Sequence, residues 1–208
     1  MNDILISGAG IAGLCLARQL KHHGIAYTMI EKKSQLDAVG AGIALPANAV
    51  RALRHIGLAE FVDNLHQVNR IIYSRANGKV ISQASLLDKP LNLDKFVALD
   101  RTKLLIALQD SVQNDIHFNT TITGIKHQSS GVDVTFSNPE LNGHYQAVIG
   151  ADGIYSTVRE LSFESSELVD LDVTNWRWIC DHPTEDIQPT YILNSRPNLY
   201  LQARCNSN

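Results

Sequence analysis

Gly8-x-Gly10-x-x-Gly13, with Glu31 further along, is the first constellation in this chain whose residue types and spacing could do chemistry. Gly8 permits a tight turn, Gly10 lets backbone amides approach a pyrophosphate, and Gly13 lets a helix pack on a strand. Ile11 and Ala12, between the last two glycines, sit where that helix begins. Its first turn faces an anion with unpaired N–H groups and a favourable dipole. A carboxylate at Glu31 can accept hydrogen bonds from an adenosine ribose. It also repels a 2′-phosphate, so NADP is not expected at this place. The competing reading is a plain α/β turn whose glycines serve packing alone, and the motif by itself does not separate NAD from FAD.

These residues need particular elements around them. Asp3 to Ser7 reads as a short buried strand entering the glycine turn. Ile11, Leu14, Cys15, Ala17 and Leu20 then recur at helical spacing, and Gly24 is a natural stop. Ala26 to Glu31 is a second strand, so the two strands should be parallel neighbours. Beyond Glu31 the alternation breaks. Val39 to Leu45 is a segment of small residues, and a helix is expected from about Asn48 to His55.

Ile71–Ser74 and Lys79–Gln83 flank Asn77-Gly78, a hairpin signal. Phe96–Leu99 reads as a strand and Arg101–Val112 as an amphipathic helix. Short strands follow near Ile116–Phe118, Thr121–His127 and Val132–Phe136. Ala147-Val148-Ile149 runs into Gly150-Ala151-Asp152-Gly153, after which Ser156 can cap a short helix. Val169–Cys180 reads as a strand, and Pro197–Asn208 as neither strand nor helix.

Bulk properties exclude several classes. With 18 basic and 21 acidic side chains and a formal net charge of −3, the chain lacks the basic face of a nucleic-acid binder. Cys15, Cys180 and Cys205 form neither a disulfide framework nor a zinc spacing, and the eight histidines make no metal motif. No apolar run suits a membrane span, and the opening residues lack a secretory leader pattern, so a reducing cytoplasm is the expected location. Nothing in the sequence sets an oligomeric state.

Three separated segments together resemble the class A FAD-dependent monooxygenases, the family of para-hydroxybenzoate, salicylate and urate hydroxylases. Val39-Gly40-Ala41-Gly42-Ile43-Ala44-Leu45 with Pro46 to Val50 is similar to the family's loop and helix after the second strand. Asp100-Arg101 with Leu104, Leu105 and Leu108 is similar to its Arg-x-x-Leu segment. Gly150-Ala151-Asp152-Gly153 with Ser156 and Arg159 resembles its second fingerprint, and Trp176-Arg177 resembles a strand of its substrate domain.

The resemblance implies an α/β fold: a Rossmann-like FAD-binding domain over 1–70 and 96–165, interleaved with a partial antiparallel β-sheet substrate domain over 71–95 and 166–208. It implies FAD as cofactor, NAD(P)H as electron donor, and hydroxylation of a small, aromatic substrate with dioxygen. Arg101 would meet the FAD pyrophosphate, where a fixed guanidinium fork suits a diphosphate. Asp152 would stabilise the FAD site and take part in nicotinamide handling, or would cap the helix near Ser156 through an Asx-turn; the two are compatible. Ala44 and Ile122 would touch FAD through backbone, or serve ordinary packing. Lys32 would lie near the adenosine, or be a solvated lysine. No catalytic side chain and no metal ligand is singled out.

One expected motif is missing. In the family a C-terminal Gly-Asp segment completes the flavin site, yet none of the thirteen glycines here is followed by Asp. The expectation is a shortened chain, and beside the monooxygenase stands a second reading: a non-catalytic FAD- or adenylate-binding fragment, or a domain requiring a partner.

Overall fold

The computed structural model describes residues 2–36, 42–75, 77–163, 167–172, 190–195 and 201–202, with backbone alone for 2, 3, 190–195 and 201–202. In chain order these form β1 (Asn2–Ser7), α1 (Ile11–His22), β2 (Tyr27–Ile30), β3 (Gly42–Leu45), α2 (Ala47–Leu53), α3 (Ala59–Asp63), β4 (Arg70–Arg75), β5 (Val80–Ser85) and β6 (Val97–Asp100). Then follow α4 (Arg101–Gln109), β7 (Ile116–His117), β8 (Ile122–Gln128), β9 (Gly131–Phe136), β10 (Gly143–Gly150), α5 (Thr157–Ser162), β11 (Thr190–Ser195) and β12 (Leu201–Gln202). The chain divides into two interleaved units, one of residues 1–38 and 105–175, the other of 39–104 and 176–208. Residues 39–70 and 96–104 thus group with the hairpin rather than with the glycine fingerprint.

The first unit is built on a six-stranded sheet ordered β7-β2-β1-β10-β9-β8. β1 and β2 are parallel neighbours, from Ile4↔Tyr27 to Ser7↔Ile30, as the strand–turn–helix–strand pattern required. β10 lies parallel on the other side of β1, from Asn2↔Tyr145 to Ser7↔Gly150. Its first residues also pair antiparallel with β9, His144 opposite Asp133. One strand therefore joins a parallel half-sheet to an antiparallel one.

Burial explains why these segments hold. Leu5, Ile30, Ile122, Val134, Phe136, Tyr145 and Val158 form one apolar cluster, and each such fully buried side chain contributes about 1.5–3 kcal/mol. Tyr145 is wholly buried, yet its hydroxyl donates to the Leu141 carbonyl at 2.9 Å, so no polar atom is stranded. α1 turns Gly13, Leu14, Ala17 and Leu20 inward and places Lys21 and His22 at its C-terminal end, where cations suit the dipole. Cys15 is half-buried in this helix, and burial pushes its thiol pKa up, away from reactivity.

In the second unit β3 and β6 form an antiparallel ladder, from Gly42↔Asp100 to Leu45↔Val97. β4 and β5 pair across Asn77-Gly78, where the Asn77 side chain accepts the Lys79 N–H at 3.1 Å. This hairpin belongs to a sheet ordered β12-β11-β4-β5, distinct from the sheet built on β1, and its neighbour β11 runs parallel to β4 and lies beyond the Val169–Cys180 segment expected to join the hairpin. Arg54 grips Asp94 with Nε and Nη2 at 2.9 and 3.2 Å, and Asp63 with Nη1 at 2.8 Å.

Several boundaries differ from the sequence reading. The end of the small-residue segment is a strand, because its backbone pairs with β6; residues 39–41 lie outside the described residues. α4 stops at Gln109, short of Val112, whereas the helical backbone of α2 continues past Leu53 and breaks at Ile56–Gly57, close to the expected end at His55. The expected strand Val169–Cys180 shows no strand in its described part, 169–172; its remainder, with Trp176, Arg177 and Trp178, lies outside the described residues. In the tail, Leu201–Gln202 is a short strand held by β11, a partner that local composition does not reveal.

Candidate functional site

The glycine turn links β1 to α1, and its three glycines face different surroundings. Gly8 has φ +102°, and a Cβ there would stand 2.5 Å from the Ala151 carbonyl oxygen. A Cβ on Gly13 would run into the Gly8 carbonyl and crowd Met29. Both positions are closed by the protein itself. Gly10 is different: a Cβ there meets nothing within 4 Å. Gly10 is also the N-cap of α1, with extended backbone, no side-chain cap and no acidic residue in the first turn. The start of α1, from half-buried Ile11 and exposed Ala12 onward, thus carries no side-chain cap, and the described residues leave room beside Gly10 of the kind a diphosphate on helix amides would fit.

Glu31 stands at the end of β2, half-buried. Its Oε2 accepts the Ala9 N–H at 2.9 Å and its Oε1 accepts the Lys33 N–H at 3.0 Å. An ionised carboxylate offers about four acceptor positions, so both oxygens keep capacity for ribose hydroxyls. The structure thus brings Glu31 to the very loop that carries Gly8, Gly10 and Gly13. Sequence reading put Glu31 at the end of the second strand, where it lies, but did not point to Ala9 and Lys33, whose contribution is backbone N–H and leaves no signature in residue type. Lys32 is exposed.

Ala151 brings the second fingerprint against the first: its N–H donates to the Ser7 carbonyl at 2.8 Å, beside Gly8. Asp152 Oδ1 accepts the Ser156 hydroxyl at 2.6 Å, and Oδ2 accepts the Val158 N–H at 3.2 Å. Ser156 Oγ in turn accepts the Arg159 N–H at 3.1 Å. Asp152 and Ser156 therefore cap α5, the helix-capping role weighed for Asp152. Ile122 is buried, and its side chain belongs to the apolar cluster.

Ala44 and Arg101 fall in the second unit. Ala44 lies on β3 opposite Ala98, half-buried. Arg101 is the first residue of α4, half-buried, beside Asp100, whose Oδ1 accepts the Thr102 N–H at 2.8 Å and so caps the helix start. Among the described residues no group of three or more His, Cys, Asp or Glu could hold a metal ion, and no helix is long and apolar enough to cross a membrane.

The family described as FAD binding domain matches residues 1–189 of the chain. The 2-heptyl-3-hydroxy-4(1H)-quinolone synthase of Pseudomonas aeruginosa is 31% identical over 188 residues, covering 89% of this chain and 48% of that protein. The aurachin C monooxygenase/isomerase of Stigmatella aurantiaca is 28% identical over 196 residues, 92% of this chain and 50% of its own. Among solved structures, Klebsiella pneumoniae HpxO complexed with FAD and uric acid superposes with a TM-score of 0.67 at 24% identity, over 79% of this chain and 43% of that one, a likeness of fold. The chain thus spans about half the length of the curated relatives it matches.

Proposed function

The chain belongs to the FAD binding domain family, and its relatives include FAD-dependent monooxygenases; from that premise we propose that it serves hydroxylation of a small, aromatic substrate with NAD(P)H and dioxygen. The observation that carries the cofactor half is the opening at Gly10, beside the uncapped start of α1 and the Glu31 carboxylate. When bound, FAD supplies the redox chemistry: electrons from NAD(P)H pass to dioxygen, one atom going to the substrate and the other to water.

The chain's own residues bind and orient. The Gly10–Gly13 backbone and the first turn of α1 receive the pyrophosphate, with Ile11 and Ala12 contributing main-chain amides. Glu31 accepts the adenosine ribose hydroxyls, and its charge disfavours a 2′-phosphate. Asp152 holds α5 and the Ala151 turn in place behind Gly8. Lys32, Ala44, Arg101 and Ile122 are put forward as FAD contacts on the family resemblance. The division of labour we propose keeps the adenosine and pyrophosphate with the fingerprint loop and the substrate with the hairpin sheet.

A second reading is an FAD- or adenylate-binding domain that turns over only with a partner. Denaturing the purified protein and chromatographing what is released tests the cofactor; NAD with no flavin would overturn the proposal. Steady NAD(P)H oxidation and hydroxylated product from the flavin-loaded chain alone would reject the second reading.

A further inference from the structure

The end of β2 is held through both main-chain polar groups of Glu31 by β7 and the residues that follow it. The Glu31 N–H donates to the His117 carbonyl at 3.0 Å, and the Glu31 carbonyl accepts the Thr120 N–H at 3.0 Å. Two residues further, the Lys33 carbonyl accepts the Asn119 N–H, again at 3.0 Å. These bonds prolong the β2–β7 pairing, Met29↔Ile116 and Ile30↔His117, beyond the point where both strands end.

The prolongation turns at Asn119, whose φ of +53° lies in the left-handed region that non-glycine residues seldom occupy. Thr120 follows, 3% exposed, and its hydroxyl donates to the Phe118 carbonyl at 3.0 Å. A buried polar side chain thus closes the turn on itself. The Glu31 main chain is clamped through both its N–H and its carbonyl, which fixes the direction in which the side chain leaves. That direction carries the carboxylate to Ala9 and Lys33.

We infer that Asn119 and Thr120 are positioning residues for the Glu31 carboxylate and through it set the affinity for FAD, although neither belongs to the glycine fingerprint. The inference rests on reading Glu31 as the ribose acceptor. Hydrogen bonds weaken steeply with misalignment, so a shift of the β2 end by a fraction of an ångström degrades the bonds to the loop and to the ribose together.

The test is FAD affinity of the 208-residue apoprotein, read by flavin fluorescence quenching. Asn119→Val, Asn119→Gly, Thr120→Val and Thr120→Ser are measured in the wild-type and Glu31→Gln backgrounds, beside thermal unfolding of each. Asn119→Val resists the left-handed turn and Thr120→Val removes the hydroxyl; each should weaken binding about tenfold, the loss of one charge-assisted bond. Asn119→Gly and Thr120→Ser keep turn and hydroxyl and should bind within about twofold of wild type. In the Glu31→Gln background the two valine variants should lose most of their effect, because it runs through the carboxylate.

An undiminished tenfold effect in that background overturns the inference, since the turn then acts on folding alone. Weakened binding in Glu31→Gln with wild-type affinity in both valine variants overturns the inference and leaves the ribose reading standing. Unchanged affinity in Glu31→Gln overturns both. Should Asn119→Val fail to fold, the Thr120→Val and Thr120→Ser pair carries the same decision.

Discussion

Gly8 and Ala151 touch: a Cβ on Gly8 would stand 2.5 Å from the Ala151 carbonyl oxygen, so the two glycine-rich turns are packed as one piece. The Ala151 N–H donating to Ser7 locks the same junction from the other side. Gly8 is therefore a packing glycine, whereas a Cβ on Gly10 would meet nothing within 4 Å, and the two should respond differently to substitution.

Gly8→Ala should destabilise the fold by more than about 2 kcal/mol, because it combines a positive φ with a backbone clash. Gly10→Ala should change stability by less than about 1 kcal/mol, since the extended backbone there accepts a side chain, yet lower flavin retention about tenfold or more. Urea denaturation with flavin content per chain separates the two. Equal losses of stability would contradict the division.

Asp152 and Ser156 act as one cap. Ser156→Ala and Asp152→Ala should each cost about 1 kcal/mol of stability. The double variant should cost clearly less than the two together, because each leaves the other's bond without its partner. Chemical denaturation of the three variants reads this directly; strict additivity would show that the residues cap independently.

His144 and Asp133 give the sheet a pH window. His144 Nδ1 lies 2.8 Å from Asp133 Oδ1, and Nε2 lies 3.3 Å from the Ser130 carbonyl oxygen, so the protonated ring donates to both. The bond to Asp133, and then the Ser130 carbonyl, hold the His144 pKa above its ordinary 6.5. The bond from His144, with Gln128 second, holds Asp133 below its ordinary 3.8. The stabilisation is full between those ordinary values. It is lost as pH rises through the raised His144 value and as pH falls through the lowered Asp133 value. The stability gap between wild type and His144→Asn should be larger at pH about 5.5 than at about 9; a gap independent of pH would refute the pairing.

Tyr27 ties β2 to the segment before β7. Its hydroxyl donates to Asp115 Oδ2 at 2.7 Å, beside Lys21 Nζ at 2.9 Å from the same oxygen. Burial and the Asp115 bond push the Tyr27 hydroxyl pKa up, so it stays a donor into strongly alkaline solution. Tyr27→Phe should cost about 1 kcal/mol, modest because the pair is partly solvated. It should also raise the Asp115 pKa: burial pushes that carboxyl up, and the Lys21 and Tyr27 bonds now outweigh it. An Asp115 titration unmoved in the variant, followed by NMR, would count against the contact.

Much of the fold is legible in local sequence. The strand–glycine turn–helix–strand unit, the acidic residue that follows it, the Asn77-Gly78 hairpin and the Ser156 cap all depend on residue types within a few positions of one another. Periodicity and turn chemistry act at that range, so reading them needs no partner.

What only the tertiary structure decided is everything that depends on who pairs with whom. β10 lies against β1 across more than a hundred intervening residues and changes from antiparallel to parallel partners along its length. β3 is a strand because β6 lies beside it, and small residues alone could not say so. The Glu31 carboxylate reaches backbone amides of Ala9 and Lys33, which every residue type except proline carries. Asn119 is one asparagine among many until its main chain closes on Lys33. Residue types announce local geometry; long-range hydrogen bonding, made largely by a backbone common to all residues, is chosen by the fold as a whole.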